Sequence, residues 1–120
     1  MYHMPDNLPL RDAIGEFTTQ ICVGLADFQF TFGKIIFMVT GQFDLMRDGE
    51  VIASWQGGNG LDPHFIDIIK ATMTKYEIPN DKEIVLYLEK GLEMHLKDDS
   101  DYQYEWLQIS IEGSTDRWII

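Results

Sequence analysis

Residues 28–32 read Phe-Gln-Phe-Thr-Phe, a strict alternation that a helix would scatter around its circumference and that a strand sends to one face. Three phenylalanines then need a core on that side. Gly33-Lys34 turns the chain, and the next run carries Ile35, Phe37, Val39, Phe43 and Leu45 on one side, with Thr40, Gln42 and Asp44 on the other. Gly41 interrupts this run and marks a bulge or bend. Arg47-Asp48-Gly49-Glu50 is a hairpin turn, because Asp-Gly readily takes positive φ, and Val51 to Trp55 is its returning strand.

A second hairpin follows the same logic: Ile84, Leu86 and Leu88 alternate, Glu89-Lys90-Gly91 turns, and Leu92, Met94 and Leu96 alternate again. The last strand places Leu107, Ile109 and Ile111 opposite Trp106, Gln108 and Ser110, and Arg117 to Ile120 is a short edge strand. Between the hairpins, Asp62 is set to cap a helix, Pro63 fits its first turn, and Leu61 and Ile66 have the spacing of a hydrophobic staple. Phe65, Ile66, Ile69 and Met73 recur at helical intervals, and Ile78-Pro79-Asn80-Asp81 reads as a turn. Ile14 to Ile21 leads to the first hairpin much as Ile69 to Tyr76 leads to the second, a faint internal repeat. The expected fold is therefore α+β and mainly β. One domain, residues 1–120, holds two antiparallel β-meander units that share one core, with a single main α-helix at about residues 62–74. Phe28, Phe30, Phe32, Phe37, Val39, Ile66, Ile69, Leu86, Leu88, Leu92, Met94, Leu107 and Ile109 are the expected core.

The longest apolar run, Ile35 to Val39, falls far short of the ~20 residues a spanning helix needs. The opening MYHMPDNLPLRD lacks the basic and apolar regions of a secretory signal, and a lone cysteine excludes an intrachain disulfide, so a cytoplasmic location is expected. Charge is the strongest compositional signal. Of a net −11, residues 77–116 carry eleven acids against three lysines. Such a field repels nucleic acid and anionic membranes, and it attracts a basic protein partner.

Motifs for chemistry fail on spacing. A calcium loop beginning at Asp99 needs glycine sixth and glutamate twelfth, where Tyr104 and Ser110 stand. His3, His64, His95 and Cys22 fall in four separate segments with no zinc spacing, and Cys22, inside Ile21-Cys22-Val23, reads as a buried thiol. The loop GGNGLDP lacks a following Lys-Ser/Thr and sets Asp62 where an anion would sit. No cofactor, metal or catalytic residue is expected.

What remains is the stretch KDDSDYQYEW, residues 97–106. Asp98, Asp99, Asp101, Tyr102, Tyr104, Glu105 and Trp106 combine acids with aromatics, the composition of a protein-binding surface, and Asp44, Asp48 and Trp55 are second candidates. The ending DDSDYQYEWLQISIEGSTDRWII has an Asp-rich turn, then Tyr-x-Tyr-Glu-x-Leu-x-Ile, then Gly-x4-Trp-Ile-Ile. Together with LPLRDAIGEFTTQICVG and the Ile84–Leu96 hairpin, it resembles small bacterial proteins of the immunity type. That resemblance implies a cytoplasmic, acidic binding protein, not an enzyme, that neutralises a cognate basic toxin domain, often a nuclease, by covering its active site. The alternative is a small-ligand-binding or enzymatic β-barrel-like domain with an aromatic pocket near Trp55, His64 and Tyr87.

Overall fold

Ten strands form two antiparallel sheets in a computed structural model that describes residues 4–5, 7–56, 62–98, 100 and 104–120. In chain order they are β1 (Ile21–Val23), β2 (Phe28–Phe32), β3 (Ile35–Val39), β4 (Gln42–Arg47), β5 (Glu50–Trp55), β6 (Met73–Asn80), β7 (Glu83–Leu88), β8 (Leu92–Lys97), β9 (Leu107–Ile111) and β10 (Arg117–Ile119). The first sheet runs β1-β2-β3-β9-β10 and the second β5-β4-β8-β7-β6. The expected turns are where the sequence puts them, with Asp48 at φ 52°, Gly49 at 87°, Lys90 at 65° and Gly91 at 76°.

Gly41 is where the chain changes sheets. β3 pairs with β9, β4 pairs with β8, and the backbone bends between them through Thr40 and Gly41. Both of their N–H groups donate to Trp106 O, at 2.9 and 3.0 Å. A Cβ at position 41 would lie 2.6 Å from Lys97 O and 2.8 Å from Trp106 Cβ, so only glycine fits the corner. The alternating residues of both sheets meet between them in one cluster, with Phe28, Phe30, Phe37, Phe43, Trp55 and Phe65 all fully enclosed.

The two halves of the chain are built alike and cross-connected. Each begins with a 3-10 helix (Pro9–Ala13, then Pro63–Ile68), lays a three-stranded meander into one sheet, and sends a hairpin into the other. One pair of contacts repeats across their seam. Gly15 and Lys70 both hold positive φ, at 86° and 70°. Gly15 N donates to Met73 O at 2.8 Å, and Lys70 N donates to Thr18 O at 2.7 Å. Leu10 and Ala13 are buried in the first helix, Phe65 and Ile68 in the second. The faint repeat in the sequence thus corresponds to a local two-fold arrangement.

The expected α-helix is not formed. Residues 63–68 make a 3-10 helix, and residues 73–80, expected to end the helix and turn, are strand β6. The cap itself is as expected, since the Asp62 carboxylate accepts from His64 N at 2.9 Å. Three-residue periodicity buries Phe65 and Ile68, which leaves Ile66 55% exposed and Ile69 only half-buried, contrary to the expected core. Tertiary pairing decides the outcome: Met73 N donates to Glu16 O at 2.9 Å and Met73 pairs with Leu88, so the chain is drawn into the sheet after six helical residues. Thr72 and Thr74 are β-branched and resist that move least. Pro79 is accommodated because β6 is an edge strand.

Candidate functional site

The acidic and aromatic stretch lies in the connection from β8 back to β9, at the end of the first sheet where the chain crosses between sheets. Of Asp98, Asp99, Asp101, Tyr102, Tyr104, Glu105 and Trp106, the four that are described, Asp98, Tyr104, Glu105 and Trp106, do not all face one way. Asp98 is 8% exposed, and its carboxylate accepts from Ser100 N at 2.8 Å and Ser100 Oγ at 2.6 Å. Its role is to start the loop, and it is not a free charge on a rim. Ser100 Oγ in turn accepts from Tyr104 N at 3.1 Å and closes the loop. Trp106, expected on the outer face, is 1% exposed. Strand alternation begins only at Leu107, so Trp106 and Leu107 are both buried, Trp106 in the corner beside Gly41. Asp99, Asp101 and Tyr102 lie outside the described residues. Tyr104, 70% exposed, and Glu105 stand at the surface.

The second candidates also separate. Trp55 is fully buried, its ring 5.9 Å from Phe28 and 6.3 Å from Phe43, because its strand turns it inward. Asp44 is 8% exposed and accepts from Ser54 Oγ at 2.7 Å and Lys97 Nζ at 3.2 Å. Only Asp48 is exposed, in the β4–β5 turn. Asp44 belongs to a ladder of paired groups across the outer face of the second sheet. His95 reaches Glu83 through Nδ1 and Glu93 through Nε2, both at 3.1 Å. Tyr87 OH donates to Glu77 at 3.1 Å, and Lys75 Nζ sits 4.4 Å from the centre of the Tyr87 ring.

Desolvation, and then the hydrogen bond to Glu77, push the Tyr87 phenol above its ordinary value near 10. The raised group favours the protonated form in the folded state. Its contribution is complete below the ordinary tyrosine range and is lost as pH rises through the folded value. Stability of the native protein should therefore fall more steeply above about pH 10 than that of Tyr87→Phe. Urea titrations at stepped alkaline pH measure this, and identical slopes would dismiss the Tyr87–Glu77 bond as a contributor. Asp62 behaves with the opposite sign: the His64 N–H holds its carboxyl below the usual range, and that contribution disappears on acidification.

One exposed feature was missed by the sequence reading. Leu25, in the β1–β2 turn, is 86% exposed and lies at the same end of the first sheet as Tyr104. Register places both at that end, with β3 between them: Val23 pairs with Phe28, Phe28 with Val39 and Val39 with Leu107, and both residues lie beyond this last row. Two acids lie at the same end: Glu105, exposed beside Tyr104 in the chain, and Asp27, half-buried, whose carboxylate accepts from Gln29 Nε2 at 2.7 Å. The sequence signal was present in Gly24-Leu25-Ala26-Asp27, an apolar residue in a turn whose Gly24 N donates to Asp27 O at 2.8 Å. Cys22, expected to be buried, is exposed, because Ile21 and Val23 take the inward positions of the edge strand β1.

The residues grouped as an aromatic pocket lie in three places. Trp55 is in the core, His64 is exposed and bonded to Asp62, and Tyr87 is on the outer face of the second sheet. The described clefts, of roughly 160 to 410 Å³, are open to solvent and lie on the outer faces and ends of the sheets. Among the described residues, no three His, Cys, Asp or Glu side chains are grouped to hold a metal ion, and no helix is long and apolar enough to cross a membrane. The chain matches no protein-family model, no curated protein and no solved structure.

Proposed function

We propose that this chain is a cytoplasmic immunity-type binding protein that neutralises a basic toxin domain by covering its active site. The observation that carries the reading is the crossover end of the first sheet. There two exposed apolar side chains, Leu25 and Tyr104, stand with the carboxylates of Asp27 and Glu105 on a chain of net charge −11. Apolar anchors give a complex its lifetime, and surrounding acids speed its formation with a basic partner.

The test mixes the purified protein with the basic domain encoded by the neighbouring gene, the genetic arrangement expected for such pairs. A one-to-one complex should form, its association should slow as salt is added, and the domain's activity should be lost. Tyr104→Ala should speed dissociation at a cost of roughly 2 kcal/mol, while Asp27→Asn with Glu105→Gln should chiefly slow association. Full activity of the domain in the presence of excess protein would overturn the reading.

A further inference from the structure

Alternation that buries Phe28, Phe30, Phe37 and Ile109 leaves the other residues of the first sheet on its outer face, and these are almost without charge. Pairing sets them in rows. Cys22, Gln29, Met38, Gln108 and Ile119 cross all five strands, and Thr31, Ile36, Ser110 and Arg117 form the next row. Arg117, on the edge strand, is the only ionised side chain among them. The outer face of the second sheet, by contrast, carries Asp44, Glu77, Glu83 and Glu93 with Lys75 and Lys97. Solubility alone would place charge on both faces. Among the described residues, the strand positions of this face carry none of the chain's 20 acidic residues, and the Asp27 carboxylate reaches it only at the crossover end, where it accepts from Gln29 Nε2 at 2.7 Å.

We infer that the basic partner seats on this outer face of the first sheet, with Tyr104 and Leu25 gripping it at the crossover end; the inference rests on the function proposed above and names its surface. A charge-depleted centre with a polar rim is the anatomy of a protein interface. The rim is acidic at the crossover end, through Asp27 and Glu105, and balanced at the other, where Lys34 and Arg117 accompany Glu112 and Asp116. Cationic groups of the partner therefore belong at the crossover end. A hollow of about 160 Å³, lined in part by Cys22, Gln29, Thr31 and Ile36, has room for one inserted side chain.

The face alone is smaller than one side of a standard interface. Three five-residue strands and two three-residue edge strands, about 4.8 Å apart, present a flat face of roughly 330 Å², less than half of the ~800 Å² that each side of a standard complex buries. The Leu25 and Tyr104 rim must supply the rest. A second copy is a poorer occupant, because it would bring another chain of net charge −11 and equally acidic rims against this one.

Cys22, the sole cysteine and exposed on this face, is a built-in reporter. Its rate of modification by a thiol reagent is measured for the free protein and in the presence of the neighbouring gene's basic domain. Protection of about tenfold or more is expected. Met38→Asp, with Gln108→Glu as a second variant should the first unfold, is expected to weaken binding about tenfold or more. Glu93→Gln, on the opposite sheet, is expected to leave affinity unchanged. A stable complex with unprotected Cys22 and wild-type affinity in these face variants overturns the inference and leaves the proposed function standing. Absence of any complex overturns both. Protection of Cys22 in the protein alone, with a dimer in sedimentation that Met38→Asp dissolves, assigns the face to a second copy and overturns the inference.

Discussion

Phe28→Ala is expected to lower the stability of the protein by about 3–5 kcal/mol. Phe28 is in the first sheet, yet its ring lies 4.7 Å from Phe43 and 5.9 Å from Trp55 in the second, and 5.1 Å from Phe65 in the 3-10 helix. Removing it opens a hole where three elements meet, and stiff sheets on either side cannot close over it. A domain of ordinary stability has about 5–15 kcal/mol in total, so the variant should unfold at a much lower urea concentration. Phe32→Ala should cost less, since among the described aromatic rings Phe32 meets only Phe30 and Phe37, both of its own sheet, at 5.8 and 6.1 Å. Thr31→Ala, on the outer face, should stay within about 0.5 kcal/mol. Equal losses at residues 28 and 32 would show that the inter-sheet contact has no special weight.

The strands were legible because their signal is local. Phe-Gln-Phe-Thr-Phe needs no partner to declare which side is buried, and Asp48-Gly49 declares its turn by its own backbone preference. Residues 62–80 were misread because both answers fit locally: Asp62 and Pro63 start a 3-10 helix as well as an α-helix. What decides is the pairing of Met73 with Leu88 and with the backbone of Glu16, residues far away in sequence. Sequence periodicity cannot weigh a contact with a strand it has not yet placed.

The candidate site was half legible for a related reason. Composition located the crossover loop, and Tyr104 and Glu105 are at its surface. Parity assigned Trp106 to the outside by extending the alternation of β9 one residue beyond its start at Leu107. Asp98 looked like a free acid because its partner, the Ser100 backbone, is invisible in a count of charges. The neutral outer face of the first sheet is assembled from β1, β2, β3, β9 and β10, so only the strand order reveals it.

Trp106→Ala is expected to cost about 3–5 kcal/mol of stability, and this separates its role from that of Tyr104. The indole fills the corner where the chain crosses between sheets. Its backbone accepts from Thr40 and Gly41 and donates to Ile120 O at 2.7 Å, so loss of the ring leaves a cavity that bonded backbone surrounds on several sides. The same residue holds a buried Nε1–H with no hydrogen-bond partner among the described residues. An unpaired buried donor costs about 1–3 kcal/mol, which Trp106→Phe recovers while keeping a ring in the corner. Trp106→Phe should therefore lose less than half of what Trp106→Ala loses, in urea denaturation measured at one pH. Tyr104→Ala should leave the midpoint almost unmoved, since its side chain is open to water. A loss in Trp106→Phe as large as in Trp106→Ala would mean that the indole N–H has a partner, such as an ordered water in the corner. A large loss in Tyr104→Ala would mean that the crossover loop braces the fold, and any weakening of binding by that variant would then be a consequence of unfolding.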